Sequence, residues 1–389
     1  MERETIIRSA SLRMIRDSLA DSPVTALLGP RQCGKTTLVR GLASRPENYF
    51  DLHNLIDRAR LEESNFSALD CLTGTIVIDE AQMKPDLFPK LRVLADRLDS
   101  GTRFLLTGSA SPRISRGVSE SLAGRVRFID LGCFNPEEVG WESWQALWHK
   151  GGFPPSFLRQ MPANSFQWRL DYISTFLARD LPLLSDTKMS QEQLRRMLQL
   201  IAHNHGQHWN HSEAAKVVGV NYKTIQRHVE ILKGAFILRE LPPYHVNVRK
   251  RLRKAPKIYY RDSGLLHALL LIQHPEQLSS HPKYGASWEG YAIEQIVRLS
   301  NSREEECFSY SVQGGTEVDL VIEKPSGRFG FEFKVGDAPR KSSSMVTACE
   351  DITLTKLFVV YPGQLDYTID EKIEVIGFTN LKKVIPLIS

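Results

Sequence analysis

A glycine loop set between a β-rich run and a helical pattern constrains this chain more than any other feature. Val24-Thr-Ala-Leu-Leu28 reads as a short strand, Gly29-Pro30-Arg31-Gln32-Cys33-Gly34-Lys35-Thr36-Thr37 follows, and a helical pattern begins at Leu38. Strand, loop and helix in that order are what the G-x-x-x-x-G-K-[ST] motif requires. Gly29 and Gly34 let the backbone curl so that successive N–H groups point inward at a phosphate, and the helix N-terminus adds partial positive charge. Lys35 would reach the β- and γ-phosphates, Thr36 would hold Mg²⁺, and the remaining loop residues would line the nucleotide. Alone, the pattern leaves open an ordinary glycine turn beside a surface lysine.

Two later runs narrow that choice. Thr75-Ile-Val-Ile78 reads as a buried strand ending in Asp79-Glu80. Neighbours at a strand end face opposite ways, so Asp79 can serve Mg²⁺ while Glu80 orients and deprotonates the attacking water. Arg103-Phe-Leu-Leu-Thr107 is a third apolar strand, and Gly108-Ser109 at its end are placed to touch the γ-phosphate or that water. Together the three strands point to a domain that binds a nucleoside triphosphate with Mg²⁺ and hydrolyses it; the resemblance below makes that nucleotide ATP.

At this point the chain resembles a known family. Gly29-Pro-Arg-Gln-Cys-Gly-Lys-Thr-Thr, Ile78-Asp-Glu-Ala-Gln82, Leu106-Thr-Gly-Ser-Ala110 and Leu122-Ala-Gly-Arg125 are similar to the AAA+ ATPases of the AAA_14 type. Gly151-Gly-Phe-Pro154 and Pro256-Lys-Ile-Tyr-Tyr-Arg-Asp262-Ser-Gly-Leu265 resemble the DUF4143 region that usually follows them. The resemblance covers nearly the whole chain. It implies a ring-forming module, expected to be a hexamer, in which Arg125 is the finger offered to a neighbour's nucleotide. A structural salt bridge is the alternative for that arginine. Cys33 inside the loop reads as space-filling or, beside phosphate-facing N–H groups, as an oxidisable thiol.

With 389 residues, the chain is long enough for two or three domains at roughly 100–200 residues each. The expected architecture is multi-domain α/β: a P-loop AAA+ core (1–132), a helical lid (133–189), a winged helix with a basic segment (190–262) and a nuclease-like α/β domain (263–389). Trp141, Trp144 and Trp148 recur at helical spacing, which marks a packing face more often than a base-stacking platform. Gln191 to His203 is amphipathic. Ser212 to Val218, a turn at Gly219-Val-Asn221, and Tyr222 to Leu232 then form a helix-turn-helix pattern. Ser212 is expected to cap the first of these helices. Ile225, Val229 and Leu232 mark the buried face of the second, leaving Asn221, Lys223, Thr224, Gln226 and Arg227 near its N-terminus for DNA. Gly234-Ala-Phe-Ile-Leu-Arg-Glu-Leu241 resembles the first strand of a wing.

The net charge of +5 is too mild to identify a partner, so its placement matters. Arg249, Lys250, Arg251, Arg253, Lys254, Lys257 and Arg261 form one acid-free run with Tyr259 and Tyr260 interleaved. Such a run suits a phosphate backbone, and a solvated loop is the alternative. His203, His205, His208 and His211 do not share a helical face and are not expected to hold a metal.

Further on, Trp288 to Val297 opens a helix, and Phe308–Val312, Glu317–Ile322 and Phe329–Val335 read as strands. Glu332 and Lys334 share one strand face, and Asp319 begins the strand before it. Two carboxylates beside a lysine are what metal-assisted phosphodiester cleavage needs. The set resembles the PD-(D/E)xK nucleases, with Asp319 and Glu332 as Mg²⁺ ligands, Lys334 as the motif lysine and Glu289 or Glu294 as the helix acid. Val318 stands where that family carries proline, and the fold also serves as a scaffold without activity.

The functional expectation is a ring motor that remodels or translocates on duplex or branched DNA. The alternatives are an ATP-controlled nuclease and an ATP-gated switch acting on a protein partner. The longest apolar run, Leu265 to Ile272, is broken by His267 and is far short of the ~20 residues of a membrane span. Five scattered cysteines without a Cys-x-x-Cys pair, and acids at the start where a signal peptide needs apolar residues, lead us to expect a cytoplasmic protein with reduced thiols.

Overall fold

The structure is a computed structural model and describes residues 6–62, 67–97, 101–109, 118, 120–184, 189–244, 255–312, 315–336 and 339–388. The chain divides into two compact units, one taking most of the chain through Phe134 and the other most of it from Asn135.

In the first unit, strands β1 (Val24–Gly29), β2 (Tyr49–Asp51), β3 (Thr75–Asp79), β4 (Arg103–Ser109) and β5 (Val126–Asp130) form a sheet in the order β2-β3-β4-β1-β5. Every pairing in it is parallel. A parallel sheet is covered on both faces, which is why its central strands read as unbroken apolar runs. Val24, Ala26, Leu28, Ile76, Ile78, Phe104 and Leu106 pack on one face, and Leu27, Val77, Leu105 and Ile129 on the other. Ile15 and Leu19 of the helix Ser9–Asp21 cover that second face.

The second unit holds two sheets. β6 (Gln207–His208), β7 (Leu238–Leu241) and β8 (Lys257–Tyr260) form the smaller one, in the order β6-β8-β7, with helices Gln191–His203, His211–Val218 and Tyr222–Gly234 between and before its strands. β9 (Cys307–Ser311), β10 (Glu317–Lys324), β11 (Gly327–Phe333), β12 (Lys356–Tyr361), β13 (Tyr367–Asp370) and β14 (Ile373–Gly377) form the larger, in the order β13-β14-β12-β11-β10-β9. Its first three strands pair antiparallel and β12 joins β11 in parallel, after the helix Ser343–Asp351.

The helices between Asn135 and Pro182 pack within the second unit, where their aromatic face has a partner. Trp144 and Trp148 lie 5.6 and 5.1 Å from Trp288 on the helix Tyr284–Leu299, and Phe378 closes the cluster 5.3 Å from Trp288. Ser212 is not the cap of its helix. Asn210 takes that place and accepts from the amides of Ser212 and Glu213.

The helix Tyr284–Leu299 is buried along most of its length and is crossed closely at Gly290. A Cβ there would meet Nε2 of His205 at 2.3 Å. His205 cannot easily give way: its Nδ1 accepts from the Tyr260 amide at 3.0 Å, and burial pushes its pKa down to about 3, which keeps it neutral. Gly290→Ala is therefore expected to lower stability by about 1–3 kcal/mol. Gly285→Ala on the same helix, where nothing lies within 4 Å of the new carbon, should stay within about 0.5 kcal/mol. Denaturation midpoints of both variants check this, and equal midpoints would remove the close approach from the account.

Candidate functional site

The loop after β1 is tight because the chain beneath it leaves no room for side chains. A Cβ on Gly29 would lie 2.2 Å from the Leu131 carbonyl oxygen, and Gly34 has a φ of 100°, in the left-handed region. Gln32 also has positive φ, at 61°. Arg8 braces the loop from below, donating to the Cys33 carbonyl at 3.1 Å and the Gly132 carbonyl at 3.0 Å. Cys33 is fully buried and its thiol sits 3.6 Å from the Leu131 carbonyl, so it fills space and is not displayed to an oxidant. Lys35 is buried within the loop, with Nζ 2.9 Å from the carbonyls of both Gly29 and Pro30. It stands at the first position of the helix Lys35–Val39, with Thr36 next to it half-buried and Thr37 exposed.

Parallel strands bring their C-terminal ends to one sheet edge. Gly29 of β1 is the register partner of Ser109 at the end of β4, and Ile78 pairs with Leu106, so Asp79 follows on the same edge. Asp79 is buried and held at both oxygens: Thr107 Oγ1 donates to Oδ1, and the Tyr49 hydroxyl donates to Oδ2 at 2.9 Å. Burial and the Asp79 charge push the Tyr49 phenol above its ordinary value, which keeps it a donor. Neither Tyr49 nor Thr107 stood out in the sequence; only their positions on neighbouring strands give them this role.

Glu80 adopts φ 59°, a conformation that non-glycine residues occupy at a cost. Its amide donates to Thr107 Oγ1 at 3.1 Å and its carboxylate accepts from the Gln82 side chain. The carboxylate is thus held by a local partner just past the end of β3. This donor set suits a hydrated divalent cation and a triphosphate: one buried carboxylate, one hydroxyl and a lysine inside a glycine loop.

Arg125 lies elsewhere on this unit. It precedes β5, and its carbonyl accepts from the Val24 amide at the start of β1, so it stands at the opposite sheet edge from the loop. Its guanidinium forms a two-pronged pair with Asp96, with Nη2 3.0 Å from Oδ2.

In the second unit, the N-terminal end of the helix Tyr222–Gly234 lines an open cavity of about 520 Å³ with Asn221, Tyr222, Lys223, Thr224 and Arg227. Asn221 and Thr224 are spent on capping: Asn221 Oδ1 accepts from the Thr224 amide at 2.8 Å and from its hydroxyl at 3.0 Å. Lys223, Gln226 and Arg227 are exposed, while Ile225, Val229 and Leu232 are fully buried. Arg249, Lys250, Arg251, Arg253 and Lys254 lie outside the described residues, in the connection between β7 and β8. Of the two grouped with them, Lys257 is buried and Arg261 is only 10% exposed. Arg261 joins Arg239 on Glu294, at 3.0 and 2.8 Å. Against the burial that would raise it, the two arginines hold Glu294 below the usual carboxylate range.

That pairing also decides the helix acid. Glu294 is sequestered, and Glu289 is the one that reaches Asp319, through Lys257 between them. Asp319 sits where the β9–β10 register shifts, and its Oδ2 accepts from the Phe333 amide at 3.1 Å. Lys334 pairs with Glu332 at 2.6 Å. Burial and the Asp319 charge raise Glu332 to about 8 and Glu289 to about 7. Among the described residues, no three His, Cys, Asp or Glu side chains converge to hold a metal ion.

A parallel sheet with a glycine loop, a lysine within it and paired acids on the same edge defines a P-loop nucleoside triphosphatase. Comparison with known proteins agrees. An AAA domain model, AAA_14, matches residues 21–140, and two domains of unknown function match beyond it, DUF8612 over 142–276 and DUF4143 over 284–381. Two uncharacterized proteins, of Mycobacterium bovis and Mycobacterium tuberculosis, are each 42% identical over 94% of this chain and 82% of their own. A Walker-type ATPase of Pyrococcus abyssi is 15% identical, with a TM-score of 0.44 over 69% of this chain and 97% of that one, too distant to carry argument. The chain belongs to the AAA_14 type of AAA ATPases, with a DUF4143 domain following. Among the described residues, no helix is long and apolar enough to cross a membrane.

Two outcomes are expected. Lys35→Ala should lose nucleotide binding, whereas Tyr49→Phe should bind ATP and hydrolyse it about 10-fold more slowly, because a hydrogen bond to a buried carboxylate is worth about 1.5–3 kcal/mol. Fluorescent-nucleotide titration and phosphate release check both, and normal turnover by Tyr49→Phe would show Asp79 needs no such support. Glu332 gives a pH dependence: its raised carboxyl favours the folded state at low pH, and that contribution is lost as pH rises from about 4.5 through about 8. Glu332→Gln should flatten the fall of the thermal midpoint over this interval; an unchanged slope would place the titration elsewhere.

Proposed function

We propose that this protein is an ATP-hydrolysing ring motor that binds DNA through its second unit and remodels it or translocates along it. The observation that carries the reading is the split of the ATPase residues between two sheet edges. Lys35, Asp79 and Glu80 share one edge, and Arg125 stands at the other. Arg125 cannot serve the nucleotide of its own chain across the length of the sheet, and an arginine at the transferred phosphate is worth orders of magnitude in rate. A neighbouring subunit that presents Arg125 to the loop completes the site, and repetition of such a head-to-tail contact closes a ring, of which a hexamer is the expected size.

Within one site, the loop amides and Lys35 would cradle the phosphates, and Glu80 would orient a water and take its proton. Thr36 and Asp79 would hold Mg²⁺, which supplies charge neutralisation at the phosphates; Ser109 lies at the register position next to the loop. The DNA reading rests on the second unit. The order helix, strand, helix, turn, helix, strand, strand around the sheet β6-β8-β7 supports a winged-helix reading, in which the third helix would enter the major groove. Lys223 and Arg227 are exposed on that helix, and the basic run falls on the connection that would be its wing. Backbone contacts of this kind are indifferent to sequence and sensitive to salt.

The test is ATP turnover by the purified protein with and without duplex, single-stranded and four-way-junction DNA, with Glu80→Gln as the blank. One DNA form is expected to raise turnover, and turnover indifferent to all of them would replace the motor by a switch acting on a protein partner. Arg125→Ala is expected to keep nucleotide affinity and lose turnover, with recovery when it is mixed with Lys35→Ala subunits. No recovery at any ratio would remove the shared site. Replacing Arg251, Arg253 and Lys254 by Gln should weaken DNA binding and flatten its salt slope.

A further inference from the structure

We propose that Lys257 is a resident counterion: its ammonium neutralises Glu289, Glu317 and Asp319 from within, so the DUF4143 domain keeps this cluster as a metal-free clamp and does not cleave nucleic acid. The three acids come from the helix Tyr284–Leu299 and from β10, and the lysine from β8 of the smaller sheet. Nζ lies 3.0 Å from Asp319 Oδ1, 3.3 Å from Glu289 Oε1 and 2.5 Å from Glu317 Oε1. An ammonium has three N–H donors, and here three carboxylates meet them.

Two further hydrogen bonds fix the acids around the lysine. Asp319 Oδ2 accepts from the Phe333 amide, and Glu289 Oε1 accepts a second bond, from the Tyr259 hydroxyl at 2.5 Å. Mg²⁺ demands near-octahedral oxygens at about 2.0–2.1 Å and usually keeps several waters. A cation at that distance from Asp319 Oδ1 would stand in direct repulsion with a buried ammonium bonded to the same atom. Nor is the lysine a surface side chain that can simply swing away. It is buried, and its backbone is fixed in the central strand of its sheet, paired with Leu241 on one side and His208 on the other.

One oxygen argues the other way. Glu332 Oε2 is buried without a hydrogen-bond partner, as the ligand of a missing ion would be. Its other oxygen, however, accepts from Lys334 at 2.6 Å, so the carboxylate already has a cation of its own. Lys334, the lysine that a cleaving centre would direct at water, is thereby spent on holding Glu332.

The inference is independent of the ATPase and of DNA binding, and its test avoids both. Mn²⁺ binding to the nucleotide-free full chain is followed by electron paramagnetic resonance, comparing wild type with Asp319→Asn, so that any ion at the P-loop is common to both. The two are expected to titrate identically, and neither should nick supercoiled plasmid with Mg²⁺ or Mn²⁺. A Mn²⁺ site or nicking activity present in wild type and lost in Asp319→Asn would overturn the proposal. Lys257→Met leaves the carboxylates uncompensated, and Mn²⁺ should then bind roughly 100-fold more tightly than to wild type and raise the thermal midpoint. A folded Lys257→Met chain, judged by circular dichroism, that gains no affinity would also overturn it. Should Lys257→Met fail to fold without metal, the comparison of wild type with Asp319→Asn still decides.

Discussion

The first unit is governed by the requirement that all its strands run parallel. Parallel strands deliver every C-terminal end to one edge, so a glycine loop after β1, an acidic pair after β3 and a serine at the end of β4 become neighbours although they are scattered over eighty residues of chain. The same requirement sends whatever precedes a strand to the far edge. Arg125 is there because it precedes β5, and the division of labour between subunits in the proposed ring follows from that geometry. The order of strands matters as well. β4 lies between β1 and β3, which lets Thr107 serve both Asp79 and Glu80 from the intervening strand.

In the second unit the organising interactions are buried ion clusters, each tying elements of different origin. Arg239 of β7 and Arg261 just beyond β8 close on Glu294 of the long helix, while Lys257 of β8 closes on Glu289 of the same helix and Asp319 of β10. Removing one partner from such a cluster leaves a charge buried without compensation, which costs far more than losing a surface pair. These clusters hold the smaller sheet to the helix and to the larger sheet in one register, since each carboxylate has a fixed geometry to satisfy.

The parts legible in the sequence were those in which local order and function coincide. The loop from Gly29 to Thr37 could be read because strand, glycines and lysine are contiguous, and the buried positions of the helix Tyr222–Gly234 because they recur at helical spacing. What could not be read was decided by register. Tyr49 acquires its role from the strand that β2 happens to adjoin. Glu289 and Glu294 sit five residues apart on one helix, and only the arginines on β7 and after β8 tell them apart. Lys257 and Arg261 were grouped with the basic run because counting charges along a chain ignores where a strand begins. A warning was present: Lys257 opens the β-rich segment Lys-Ile-Tyr-Tyr, and a lysine in such a segment has to find acids if it is buried.

The two engaged cations, Arg125 and Lys257, show why burial and not pairing determines what a charge can do next. Arg125 is paired with Asp96 by two hydrogen bonds, but both side chains face solvent, at 29% and 49% exposure. Water and salt offset most of such an attraction, so the arginine can leave Asp96 for a triphosphate, a partner of higher charge and equal reach. Lys257 is 5% exposed and meets three acids, where leaving would strand carboxylates in a medium that solvates them poorly. In the proposed ring the first pair would be a parking position for a group that acts across an interface. The second is part of the fold, a buried lysine of β8 that ties the long helix to β10.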